Sequence, residues 1–299
     1  MKAPVRAIAL AFAILAMVSA QAVAASPLDE AMKGYKYLRG ERHGPILVIR
    51  FYNPPTNLLS APMTGEIRDL VHRVDADAAT RVVIFTGGVP DYFIQHYDTS
   101  EMLLPPGVTM PPAQFALNAT DRTYLELEAL SKPTIAAING HAQGGGLELA
   151  LACDFRLITD PGELGFGEIT LGMLPAAGGT VRLPRLIGIA RAKEMIMLGR
   201  DINARTAVGY GVVMKAIPPD QLMKESMQLA ERLAALSPTA LGLIRGIVDG
   251  SLNTPLEESL KMEDHSFNVL VCTDEAQRLI SRYLEQNQRW GASQEGLAP

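Results

Sequence analysis

The sequence predicts an α/β (α+β) layered domain followed by a helical C-terminal region, and three observations carry that expectation. Apolar β-type runs alternate with helically spaced apolar residues between about positions 45 and 159. From about Leu186 onward nearly every segment is helical in pattern. A chain of 299 residues is long enough to bury a substantial core, as one large domain or two.

In chain order, Ile46, Leu47, Val48, Ile49 and Phe51 mark a strand over 45–52, which Asn53-Pro54-Pro55-Thr56-Asn57 breaks. Met63, Ile67, Leu70, Val71 and Val74 recur at helical spacing. Strands are expected over 81–86, closed by Gly87-Gly88, and over 134–138, between Lys132-Pro133 and Asn139-Gly140. A helix over 147–153 and a strand over 155–159 follow. Helices are then expected over 187–198, 204–209, 219–236, 239–250, 255–271 and 273–288, with a strand over 212–217 among them. The proline-rich stretch 103–112 and the polar tail 291–299 read as mobile. The resulting organisation is 1–25, 33–215, 216–290 and 291–299, and no solenoid repeat is present.

The segment 1–25 has the layout of a secretory leader: Lys2 and Arg6, an apolar centre from Ile8 to Val18, and a small-x-small site at Ala22-Val23-Ala24. A periplasmic or secreted protein is therefore expected, or a cytoplasmic one if translation begins at Met32. Cleavage removes two cations and no anion, taking the net charge from -5 to a more acidic value. No block of Lys and Arg marks nucleic-acid binding, and no other run reaches the length of a membrane span. Cys153 and Cys272 sit among apolar neighbours and read as buried core residues. The five histidines show no metal-ligand spacing, so no metal site is expected.

Chemistry concentrates at Gly144-Gly145-Gly146, between a strand and a helix. Free backbone N–H groups at a helix start favour negative charge and can hold an oxyanion. A glycine triplet is also a common packing turn. Glu148 lies in the first helical turn, where a carboxylate also complements the helix dipole. Glu168 follows Gly165-Phe166-Gly167 and reads either as a solvated loop carboxylate or as the partner of Glu148. Two carboxylates brought together can hold a water and exchange protons.

These residues carry a resemblance. The run from Lys132-Pro133 through Asn139-Gly140-His141 and Gly144-Gly145-Gly146 to Glu148-Leu149-Ala150 resembles the signature region of the enoyl-CoA hydratase/isomerase family, the crotonase superfamily. So do Cys153-Asp154, the stretch from Glu168 through Pro175 to Thr180, and Arg182-Leu183-Pro184-Arg185-Leu186-Ile187-Gly188. Weaker similarity extends from about Tyr35 to Trp290. The resemblance implies a spiral of repeated ββα turns over 33–215. It also implies a helical trimerisation region over 216–290, often with two trimers forming a hexamer. The implied substrate is an acyl-CoA thioester, with no other cofactor, whose oxygen lies between the N–H groups of Gly145 and Tyr97.

Both family glutamates are present, as Glu148 and Glu168. The resemblance thereby implies hydration of a 2-enoyl thioester; isomerase, acyl-CoA hydrolase and ring-forming or ring-cleaving activities share the fold, as would a non-catalytic exported binding protein. The chain departs from the hydratase pattern at Gln95-His96-Tyr97, where small residues are usual, and at Ser100, where a basic residue is common. His96, Asp98, Thr99 and Ser100 are the further candidate substrate contacts on this loop. Export conflicts with a coenzyme A thioester, which is a cytoplasmic metabolite.

Overall fold

The computed structural model describes residues 26–108 and 116–295. The expected leader, part of the proline-rich stretch and residues 296–299 lie outside them. Helix α1 (Pro27–Met32) leads into strands β1 (Leu38–His43) and β2 (Ile46–Phe51), then helix α2 (Ala61–Ala76). Strands β3 (Val82–Gly87) and β4 (Asp91–Ile94) precede helix α3 (Ala119–Glu128). Strands β5 (Thr134–Ile138) and β6 (Gly140–Gln143) precede helix α4 (Gly145–Leu151). Strands β7 (Phe155–Thr159) and β8 (Glu163–Gly165) precede helices α5 (Gly179–Ile187) and α6 (Ile189–Met197). Strand β9 (Ile202–Asn203), helix α7 (Ala204–Tyr210) and strand β10 (Lys215–Ile217) complete the mixed region. Helices α8 (Leu222–Ala234), α9 (Pro238–Gly250), α10 (Leu256–Val271) and α11 (Asp274–Glu295) follow.

The strands form two sheets, one ordered β1-β2-β3-β5-β7-β10 and one ordered β4-β6-β8-β9. Beyond the antiparallel β1 edge, the larger sheet is parallel. From β3 onward, each ββα unit sends its first strand to the larger sheet and its second to the smaller. This is the expected repeated ββα spiral. The two-residue period of a strand divides the larger sheet's apolar residues between its faces. Leu47, Ile49, Val83, Phe85, Ala136 and Ile138 enter the main core with α2 and α4. Ile46, Val48, Val82, Ile84, Ile135 and Ala137 pack instead with Leu222, Ala230 and Leu233 of α8. Each fully buried Leu or Ile contributes about 1.5–3 kcal/mol.

Local chemistry sets the helix boundaries. Ser60 caps α2 by accepting from Met63 N–H, and the buried face Met63, Ile67, Leu70, Val71 and Val74 is the one its spacing predicted. Helix α1 starts on a capping box of Ser26 and Asp29. It buries Leu28 and Met32, and Asp29 pairs with Arg42 at 2.9 Å. Ordered structure thus begins ahead of the expected boundary at residue 33.

Several elements differ from the sequence expectation. Strands β4, β6 and β8 are short and carry Asp, His, Gln, Glu and Gly, so they lack the apolar run that marks a strand. The helix expected over 187–198 is α6, and a further helix, α5, precedes it across Gly188 at φ 83, over residues where no helix was expected. Helix α11 continues through Glu295, past the expected start of the tail at Gly291. Cys153 is buried, but Cys272 is exposed, because it caps the end of α10 on a helix that buries none of its residues. Both cysteines are free thiols.

Helices α9 and α10 bury no residue of their own, and their attachment to the core is partly ionic. Arg245 of α9 pairs with Asp154 at 2.5 Å and donates to the carbonyls of Leu130 and Leu127. Asp154 in turn accepts from Thr134 N–H and Oγ1.

Candidate active site

The three glycines of the turn serve different steric needs. Gly144 has φ +48, and a Cβ there would approach Glu168 Oε1 to 2.7 Å. A Cβ on Gly145 would meet Leu59 Cδ2 at 2.9 Å, with Tyr97 N 3.9 Å away. On Gly146 it would collide with the Ile94 carbonyl oxygen. Gly146 thus lets β4 and α4 touch, and the turn also brings Gly145 beside Tyr97.

Tyr97 lies on a parallel bridge to Leu59. Leu59 N–H donates to His96 O and Asp98 N–H donates to Leu59 O, fixing the backbone on both sides of Tyr97. Among the described residues, neither Tyr97 N–H nor Gly145 N–H has an acceptor within the chain. Unpaired N–H groups at a helix start, held by neighbouring hydrogen bonds, suit an oxygen that gains negative charge. The bulk of Tyr97 does not disturb this arrangement. Its hydroxyl donates to Glu101 Oε2 at 2.6 Å, and the same oxygen accepts from Ala61 N–H at the start of α2.

Glu148 is 3% exposed, on a helix that is otherwise apolar and buried throughout. Its Oε1 accepts from Ala177 N–H and Gly179 N–H, each at 2.8 Å. It is thereby held at the start of α5, where the helix dipole favours an anion. Burial pushes its carboxyl up to about 7; the Gly179 and Ala177 N–H groups oppose that rise, the charge of Glu168 adds to it, and Arg182 opposes it. Oε2 accepts no hydrogen bond from the described residues.

Glu168 opens a short 3-10 turn, Glu168–Leu171, and is half-buried. Burial raises its pKa, against which its own N–H and the nearby His96 favour the anion. Its Oε2 is buried with no hydrogen-bond partner. Buried carboxylate oxygens are rarely left so, and a functional site is one setting where they occur. The structure thus brings together four predicted residues: Tyr97, Gly145, Glu148 and Glu168.

The other candidates sit nearby with different partners. His96 flanks Gly144 on the side of Glu168, with its Nδ1 2.7 Å from Tyr97 O. Asp98 is engaged inside its own loop, accepting from Ser100 N–H and Oγ and capping the 3-10 turn Thr99–Met102. Thr99 and Ser100 are exposed.

Sequence reasoning missed three contributors, all on or beside α3. Tyr124 is fully buried and donates its hydroxyl to Gly145 O at 2.9 Å. Asn118 donates to Ala176 O. Glu128 holds Arg182 through two hydrogen bonds of 2.5 and 2.8 Å. An aromatic residue within a polar helical stretch was the available signal.

Comparison with known proteins places this geometry. The profile of the enoyl-CoA hydratase/isomerase family matches residues 41–293. The chain is 35% identical to the putative enoyl-CoA hydratase/isomerase YngF of Bacillus subtilis, over 77% of its own length and 87% of that protein. It is 31% identical to a crotonyl-CoA hydratase of Syntrophomonas wolfei, over 80% and 92% of the two chains. The crystal structure of an enoyl-CoA hydratase from Bacillus anthracis superposes with a TM-score of 0.77 at 33% identity, covering 84% of this chain and 97% of that one. By its profile match, its sequence relatives and its fold, the chain belongs to the enoyl-CoA hydratase/isomerase family.

Proposed function

We propose that the protein is a hydro-lyase that adds water across the double bond of a 2-enoyl-CoA thioester. The observation that carries this reading is the buried, unpartnered Oε2 of Glu168 in a site that holds a second carboxylate, Glu148, raised to about 7. In this mechanism the thioester oxygen accepts from Tyr97 N–H and Gly145 N–H. Water, held between Glu148 and Glu168, attacks the β-carbon as one carboxylate takes its proton. The π electrons move onto the thioester oxygen as an enolate, which the two N–H groups stabilise by about 3–4 kcal/mol per donor. The carboxylate pair then returns a proton to the α-carbon. The relatives named as hydratases support this reading. A single carboxylate suffices to move a double bond, and the presence of two favours hydration.

The test is loss of the enoyl-thioester absorbance of a short-chain 2-enoyl-CoA on purified protein, beside Glu148→Gln and Glu168→Gln. Turnover by wild type that exceeds the double variant supports the reading, and equal rates overturn it.

Self-association belongs to the same proposal, and export to a version of it in which the thioester is carried by a group other than coenzyme A. Ile244, Val248, Leu256 and Phe267 are each more than half exposed on α9 and α10, apolar side chains of the kind that association buries. A homotrimer or a dimer of trimers would cover them. A mature chain that starts near Ala25, after the expected leader, would keep the Ser26 capping box.

A further inference from the structure

We infer that helix α3 is the positioning element of the active site and that Tyr124 is its principal positioning residue, holding the oxyanion donor Gly145 in place. This rests on the hydratase reading for the identity of the reaction, but not for the geometry. Three consecutive glycines make the 144–146 backbone unusually free to rotate. Yet Gly145 N–H has to meet the thioester oxygen within a few tenths of an ångström for full effect. Among the described residues, the Tyr124 hydroxyl is the one side-chain group that hydrogen-bonds to this backbone, at 2.9 Å from Gly145 O. Tyr124 is fully buried, so the bond is shielded from competing water and the ring cannot turn away without opening a cavity.

The same helix reaches the other half of the site. Asn118, which caps α3 through its Oδ1, donates from Nδ2 to Ala176 O at 2.8 Å. The N–H of that same peptide unit, on Ala177, donates to Glu148 Oε1 at 2.8 Å. Asn118 therefore orients and polarises the amide that aims the Glu148 carboxylate. Glu128, one turn beyond Tyr124, grips Arg182, whose Nη1 donates to Ala177 O at 2.8 Å. Three side chains of one helix segment thus brace the oxyanion turn and the loop that holds Glu148. None of them touches the reacting atoms.

A role in packing alone and a role in positioning make different predictions for Tyr124→Phe, which keeps the ring and deletes only the donor. The positioning role predicts a fall of about tenfold in kcat on a 2-enoyl-CoA, with KM changed by less than about twofold. It also predicts about tenfold weaker binding of the enolate form of a 3-oxoacyl-CoA, read by its enolate absorbance, with the affinity for the saturated acyl-CoA of the same length unchanged. The ratio of these two affinities does not depend on the fraction of protein folded, so a stability cost cannot mimic the effect. An unchanged ratio overturns the inference. If wild type fails to hydrate the enoyl thioester, the hydratase reading falls, and the enolate-to-saturated affinity ratio still decides the role of Tyr124.

Discussion

Glu148 Oε1 and the amide nitrogen of Gly179 are 2.8 Å apart, so a carboxylate on one helix completes the start of another. Glu148 belongs to α4, whose N-terminus carries Gly145, and Gly179 opens α5. The contact ties the charge of the site to the packing of the two helices. Under the proposed mechanism, function and stability therefore share one side chain.

That sharing predicts a pH dependence of stability. The Glu148 pKa of about 7 lies above its ordinary value of 4.5, so the native state binds this proton more tightly than the unfolded chain. The contribution is full below the unfolded value and is lost as pH rises through about 7, an amount on the order of 3 kcal/mol. Glu148→Gln keeps an oxygen for the two N–H donors and cannot ionise. Thermal melts are expected to show the variant more stable than wild type at pH 8, with the gap closing below about pH 5. A gap independent of pH would show that Glu148 does not titrate in this range.

The kinetic counterpart concerns the pair. Glu148→Gln and Glu168→Gln are each expected to lower kcat by about 10² to 10⁴. The double variant is expected to lose little more than the worse single variant, because two groups that handle one water fail together. Additive losses in steady-state assays would mean that the two carboxylates act in separate steps.

Two glycines separate steric need from helix propensity. Gly146→Ala drives a Cβ into the Ile94 carbonyl and is expected to cost about 1–3 kcal/mol through displacement of β4 from α4. Gly209 lies in α7 with open space where a Cβ would go. Gly209→Ala is expected to stabilise by about 0.5–1 kcal/mol. Urea titrations of the two variants read both signs, and equal midpoints would contradict the geometry.

What the sequence made legible follows the same physics. The larger sheet was readable because β2, β3 and β5 are buried on both faces and so are almost continuously apolar. The smaller sheet was not, since β6 is Gly-His-Ala-Gln and gains its place from pairing between β4 and β8. Gly145, Glu148 and Glu168 were found because glycines and carboxylates stand out in an apolar stretch. Tyr124 escaped notice because its role depends on a contact 21 residues along the chain, which no local pattern encodes. Asn118 acts on the Ala176 carbonyl and Glu128 on Arg182, 58 and 54 residues along the chain, which no local pattern encodes either.

The N-terminus offers a last test, one that bears on where the mature chain begins. Leu28 is 2% exposed, and Asp29 supplies one of the two carboxylates that pair with Arg42, the other being Asp77. A chain begun at Met32 lacks Leu28, Asp29 and the Ser26 cap. Burial of one leucine is worth about 1.5–3 kcal/mol, and the partly exposed ion pair adds about 1 kcal/mol or less. The version starting at Ser26 is therefore expected to exceed the version starting at Met32 by about 2–4 kcal/mol in urea unfolding. Equal stabilities would remove the structural support for a mature chain that includes α1. The expected difference would mean that a start at Met32 discards part of the core.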